Sequence, residues 1–119
     1  MSHDGIIWHN PRCSKSRKTL EMLQERNLDI EVRRYLDDPP TTDELDALLE
    51  RLELQPRELM RHKEEEYGEL KLGDATKSRA DLLEAMVDHP ILIQRPVVLR
   101  SDRAALGRPP SDVLRLFDE

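Results

Sequence analysis

The sequence predicts a small mixed α/β fold in the order βαβ, a helical insertion, then ββα. Three patterns carry that prediction. Gly5-Ile6-Ile7-Trp8 is a short apolar run that stops at the turn signal His9-Asn10-Pro11, as a buried strand does, and a helical pattern begins at Ser14. Leu45, Leu48, Leu49 and Leu52 recur at i, i+3, i+4 and i+7 behind the capping-box spacing of Thr41 and Glu44, which marks an amphipathic helix. Val97-Val98-Leu99 and Ala104–Leu106 are β-rich runs on either side of the turn Ser101-Asp102, which suggests an antiparallel return.

The remaining elements follow in order. In the first helix Thr19, Leu20, Met22 and Leu23 share one face, and Asn27 is a C-terminal stop. Ile30 to Tyr35 alternates weakly, with Ile30, Val32 and Tyr35 apolar, and reads as a second strand. A strand–helix–strand crossover implies a parallel pair with a right-handed connection. Asp37-Asp38-Pro39-Pro40 breaks the chain before the capped helix. Pro56 opens a further helix carrying Leu59 and Met60. Arg61 to Lys77 is dense in charge, with Tyr67, Leu70 and Leu72 as anchors. Ser78 and Asp81 repeat the capping pattern ahead of a face made by Leu82, Leu83, Met86 and Val87, and His89-Pro90 ends that helix. Ile91-Leu92-Ile93 leads to Arg95-Pro96. After the break at Gly107-Arg108-Pro109-Pro110, Ser111 to Phe117 reads as a final helix with Val113, Leu114 and Phe117 inward.

The 119 residues fit one domain and are enough to bury a core without staples. The net charge of −6 argues against a nucleic-acid binder, whose footprint is usually basic. One cysteine allows no intramolecular disulfide and makes a cysteine-based metal site unexpected. No stretch approaches the roughly 18 apolar residues of a membrane span. The N-terminus has no basic flank followed by an apolar run and cleavage site, so the expected setting is soluble, reducing and cytoplasmic.

The segment His9-Asn10-Pro11-Arg12-Cys13-Ser14-Lys15-Ser16-Arg17 lies between the first strand and the first helix, where open α/β sheets place ligands. A helix N-terminus presents unpaired N–H groups and partial positive charge, so a thiol there ionises more easily and an oxyanion is held by the same groups. Arg12, Lys15 and Arg17 add positive potential. Cys13 therefore reads as a nucleophile poised beside an oxyanion site. A free cysteine is also commonly a small buried hydrophobe, but a core cysteine rarely sits among Arg12, Ser14 and Lys15. Ser14 and Ser16 can donate to the thiolate or cap the helix. His9 can act on protons or simply hold the turn. Arg95, between apolar runs, either snorkels or points at something, and its planar fork suits oxyanions. Arg108 in its Gly-Arg-Pro-Pro turn has the same chemistry. Taken singly, Arg61, Arg95 and Arg108 each read as solvated charge. The pattern around Pro96 does not by itself mark a cis bond, since most X-Pro bonds are trans.

Taken together, the loop from His9 to Arg17, Tyr35-Leu36, Pro39-Pro40, Glu58-Leu59-Met60-Arg61, His89-Pro90-Ile91-Leu92-Ile93-Gln94-Arg95-Pro96 and Gly107-Arg108-Pro109 resemble the ArsC family, the glutaredoxin-linked arsenate reductases. The resemblance runs nearly the whole chain in order and at matching spacing. It implies a thioredoxin-like fold within a single domain 1–119, with a core of about 1–40 and 90–119 and a helical insertion of about 41–89. It implies that Cys13 is the nucleophile forming a thiol–arsenate adduct. By the same resemblance Arg61, Arg95 and Arg108 bind the oxyanion, His9 and Ser16 support the thiolate, and Pro96 is cis. It further implies glutathione as co-substrate, glutaredoxin as the final reductant, and no bound cofactor or metal. The single cysteine agrees independently. Reducing As(V) by two electrons takes two thiol equivalents, and the chain supplies one. The chain departs from the family at Ser14-Lys15, where members commonly carry Gly-Thr, and at Gly107, where some carry cysteine.

Two other readings share the fold or the thiol. A non-enzymatic regulator resembling Spx, which binds RNA polymerase, usually has a Cys-x-x-Cys switch, and Ser16 here replaces the second cysteine. A monothiol glutathione-dependent oxidoreductase would act through Cys13-Ser14-Lys15-Ser16 on glutathionylated proteins.

Overall fold

In a computed structural model, which describes residues 3–117, the chain divides into two compact units. The first runs up to Asp38 and resumes at Arg95; the second is Pro39–Gln94. The first holds strand β1 (Gly5–Trp8), helix α1 (Ser14–Glu25), strand β2 (Ile30–Arg33), strand β3 (Val97–Arg100), strand β4 (Arg103–Leu106) and a 3₁₀ segment, Pro110–Leu116. The strands form one sheet in the order β2-β1-β3-β4. β1 and β2 are parallel across the α1 crossover, β3 is antiparallel to β1, and β4 is antiparallel to β3.

The register aligns Val32, Ile7, Val98 and Ala105 as one row across the sheet. Strand residues two apart share a face, and this row explains where the core lies. Ile7, Val98 and Ala105 pack with Leu23 of α1 and with Val113 and Leu116 of the 3₁₀ segment. Val32, at the edge of the sheet, is 42% exposed. Past the C-cap Arg26 of α1, Asn27 is the stop expected from the sequence: it takes a left-handed φ of 60° while the Leu28 N–H donates back to the Leu23 carbonyl at 3.3 Å.

The final segment corrects the inward set expected from the sequence. An α-helical period puts Val113, Leu114 and Phe117 on one face. The segment is a 3₁₀ helix, in which residues three apart eclipse, so Val113 and Leu116 are the fully buried pair. Leu114 and Phe117 pack only partly against the core.

The Pro39–Gln94 unit is helical: α2 (Thr42–Leu52), α3 (Pro56–Leu59), α4 (Glu65–Glu69), α5 (Arg79–Asp88) and the 3₁₀ turn Pro90–Leu92. Both expected capping boxes are present. Thr41 Oγ1 accepts from the Glu44 N–H and Ser78 Oγ from the Asp81 N–H, each at 3.1 Å. Leu45, Leu48 and Leu49 of α2 and Leu82, Leu83 and Met86 of α5 are buried, and α2 packs on α5. Of the anchors expected in the charged stretch, Leu72 is buried but Leu70 is not. It sits at the C-terminal end of the five-residue α4 and is 36% exposed. Val87 is half-buried. Among the described residues no helix is long and apolar enough to cross a membrane.

Candidate active site

Cys13 is the N-cap residue of α1, with extended backbone (φ −94°, ψ 124°). The chain reaches that position through a tight turn. The Cys13 N–H donates to the Asn10 carbonyl and the Arg12 N–H to Asn10 Oδ1, each at 3.0 Å. This is the local bonding that Asn offers in turns. Ser16, one helical turn on, ties the loop down. Its Oγ accepts from the Asn10 N–H at 3.0 Å and shares a 2.7 Å hydrogen bond with His9 Nδ1, and Ser16, Asn10 and His9 are all buried. Arg17 Nη1 donates to the Pro11 carbonyl at 2.8 Å, closing the loop from the outside. The N-cap position belongs to Cys13, not to either serine, and makes no side-chain cap hydrogen bond. The Ser16 hydroxyl is spent on His9 and Asn10. Its contribution to the sulfur comes through its backbone N–H.

Partial burial pushes the Cys13 thiol up. It is outweighed by the Arg95 side chain, which donates toward the sulfur and faces it with its positive charge, and by the backbone N–H groups of Ser16 and Lys15. The net result lies below the ordinary thiol value. For His9 the shift favours the uncharged form. Burial and then the nearby charges of Arg34 and Arg17 lower its pKa, which holds the ring neutral near pH 7.

Arg95 is half-buried, and its Nε and Nη1 are buried donors that make no hydrogen bond. The phenol of the fully buried Tyr35 faces the same guanidinium. Arg108 is brought alongside, its Nε donating to the Arg95 carbonyl at 2.9 Å. The peptide bonds Arg95–Pro96 and Arg108–Pro109 are both cis. Gly107 packs so tightly that a Cβ there would lie 2.6 Å from Pro96 Cγ and 2.7 Å from Thr19 Oγ1. A side chain at this position requires Pro96 or Thr19 to move.

The first unit therefore gathers His9, Cys13, Ser16, Arg95, Pro96 and Arg108. Arg61 belongs to the Pro39–Gln94 unit. There its N–H donates to the Leu92 carbonyl at 2.7 Å and its Nε to Glu64 Oε1 at 2.9 Å. Sequence reasoning passed over Asn10, Tyr35 and Thr19 as site-forming residues. Asn10 carried a signal, since Asn ahead of a Pro-Arg pair favours a side-chain turn. Tyr35 and Thr19 act through long-range packing that no local pattern reports. Among the described residues no group of three or more His, Cys, Asp or Glu side chains is placed to hold a metal ion.

Comparison with known proteins agrees with this geometry. The ArsC family profile matches residues 8–116. The chain is 48% identical over 117 residues to the uncharacterized protein YfgD of Escherichia coli K12, covering 98% of each chain. It is 47% identical over 104 residues to an arsenate reductase of Neisseria meningitidis, covering 87% of this chain and 89% of that one. Among solved structures, the arsenate reductase from Vibrio cholerae superposes with a TM-score of 0.93 at 44% identity, covering 97% of this chain and 98% of that one. The βαβ and ββ halves of the sheet form the thioredoxin-like arrangement, with Cys13 at the first strand–helix turn. Fold, loop and profile agree over most of the chain's length, and the chain belongs to the ArsC family.

Proposed function

We propose that this chain is an arsenate reductase whose nucleophile is Cys13. The observation that carries the reading is a thiol of lowered pKa at the N-terminus of α1, facing an arginine whose buried Nε and Nη1 donors lack acceptors. A tetrahedral oxyanion supplies those acceptors and sits naturally where a thiolate can attack its centre. Arg108, pinned to the Arg95 carbonyl, is a second anion-binding arginine, and the family resemblance assigns Arg61 to the same task.

In this reading the Cys13 thiolate attacks arsenic, forming an S–As bond, while one arsenate oxygen leaves as water after protonation. Glutathione then attacks arsenic in the adduct, forming a second S–As bond as a second arsenate oxygen leaves as water, and a glutaredoxin thiolate attacks the glutathione sulfur, breaking that bond to give a glutathione–glutaredoxin mixed disulfide. The electron pair passes to arsenic, and arsenite leaves after hydrolysis of the remaining S–As bond. The sum balances: one arsenate and two external thiols give one arsenite, one disulfide and one water, and Cys13 is regenerated. The external thiols follow from the single cysteine, which cannot form a disulfide within the chain. A reducing cytoplasm is the compartment that supplies them.

The test is arsenate-dependent consumption of reductant in the presence of glutathione and glutaredoxin. Turnover is expected with the wild-type chain and is lost in Cys13→Ser, by at least about a thousandfold, because a serine hydroxyl at neutral pH is a far weaker nucleophile than a thiolate. Wild-type rates no higher than a control without protein would refute the reading.

A further inference from the structure

We propose that Glu64 is the internal counter-ion of Arg61. It is a positioning residue that fixes the direction of the guanidinium and sets how strongly it draws an oxyanion. The inference rests on the arsenate-reductase reading, in which Arg61 is one of the substrate's arginines.

The backbone around Arg61 is held on every side within its own unit. The Arg61 N–H donates to the Leu92 carbonyl at 2.7 Å, Met60 pairs with Ile93 in an antiparallel bridge, and Gln94 Nε2 donates to the Met60 carbonyl at 3.0 Å. The Glu64 N–H donates to the Arg61 carbonyl at 3.3 Å. What remains adjustable is the long side chain of Arg61, and Glu64 restrains it through the 2.9 Å bond from Nε to Oε1. The Arg61 and Glu64 side chains are 22% and 25% exposed, so water screens the pair less than it screens a surface pair.

Glu64 also occupies a position where its side chain would ordinarily do something else. It is the N-cap of α4, yet it makes no side-chain cap hydrogen bond. Asn, Asp, Ser and Thr are the effective residues there. A glutamate serves this position poorly as a cap, but its longer arm reaches Arg61. The ion pair engages Nε, on one edge of the planar fork. The Nη1–Nη2 edge is the other bidentate face, suited to a tetrahedral anion.

The chemistry of the cycle gives this arrangement a use. Arsenate is anionic near neutral pH, whereas arsenous acid is uncharged. An arginine left with full, unopposed charge holds every anion more tightly, sulfate and phosphate included. A carboxylate on Nε lowers that pull and keeps the fork aimed while the substrate's charge comes and goes.

Two variants separate charge from position. Glu64→Gln keeps an oxygen acceptor for Nε and removes the negative charge. The arsenate KM is expected to fall about fivefold, with sulfate inhibition strengthened by a similar factor and kcat changed less, as for an ion pair worth up to ~1 kcal/mol. Glu64→Ala removes the acceptor as well, and kcat/KM is expected to fall below wild type. In an Arg61→Gln background, Glu64→Gln is expected to leave KM and sulfate inhibition unchanged, because the coupling is pairwise. A Glu64→Gln enzyme within twofold of wild type in both quantities overturns the inference while leaving the arsenate reading intact. So does an equal response of the Gln and Ala variants. A wild-type chain that does not turn over arsenate overturns both.

Discussion

A thiol drawn partly out of water resists ionisation, so the low pKa of Cys13 is the work of its neighbours: the Arg95 side chain and the N–H groups of Ser16 and Lys15. The backbone donors were legible in the sequence, because a cysteine directly ahead of a helical pattern sits where such donors are unpaired. Which arginine supplies the charge was not. Arg12, Lys15 and Arg17 lie close in sequence, but Arg12 and Lys15 are exposed and Arg17 bonds the Pro11 carbonyl. Arg95, distant in sequence, is the one facing the sulfur. At the same scale Gly107 is needed for lack of space rather than for an unusual backbone angle, since no glycine among the described residues has a positive φ. Gly107→Ala is expected to cost about 1–3 kcal/mol, as overpacking does, because its Cβ would meet Pro96 Cγ at 2.6 Å and Thr19 Oγ1 at 2.7 Å. Urea unfolding measures the loss, and a variant as stable as wild type would show that the contact relaxes freely.

Elements whose signals are local matched their sequence reading closely. The helices opened by Thr41 with Glu44 and by Ser78 with Asp81 begin where the capping boxes place them, since the bonds that start such a helix lie within four residues. β1 stops at Trp8 because the loop that follows turns on Asn10. The last element shows the limit of periodicity. Pro110-to-Leu116 contains apolar residues compatible with either a 3.6-residue or a 3.0-residue turn, and the choice was made by packing against Ile7, Leu23 and Val98. Leu116→Ala is therefore expected to destabilise the fold by about 2–5 kcal/mol and Leu114→Ala by clearly less, the usual contrast between a fully and a partly buried aliphatic side chain. Equal losses in chemical denaturation would contradict the 3₁₀ assignment of the inward face.

At the scale of the whole molecule, a chain with net charge −6 still brings the Arg95 guanidinium to the Cys13 sulfur and Arg108 to the Arg95 carbonyl. It does so by sheet order rather than by composition. β3 lies beside β1, so the segment entering β3 at Arg95 comes next to the loop leaving β1 at His9, and the turn after β4 returns Arg108 to the Arg95 carbonyl. Fold class, the parallel βαβ pair and the hairpin were readable from hydrophobic runs and turn residues. The convergence of Cys13, Arg95, Tyr35 and Arg108 was not readable from those runs, because register is a property of the paired strands; only the resemblance across the whole chain pointed to the nucleophile and its arginines as one set. In the proposed function Cys13 is a thiolate next to a site for oxyanions. The most direct measurement is the rate of Cys13 alkylation against pH, with and without arsenate or sulfate. A lowered pKa enlarges the thiolate fraction at neutral pH, so the midpoint is predicted to fall below the ~8.5 of an unperturbed cysteine, and either anion should slow the reaction. A midpoint at the ordinary thiol value, indifferent to both anions, would rule out a thiolate poised beside an oxyanion site.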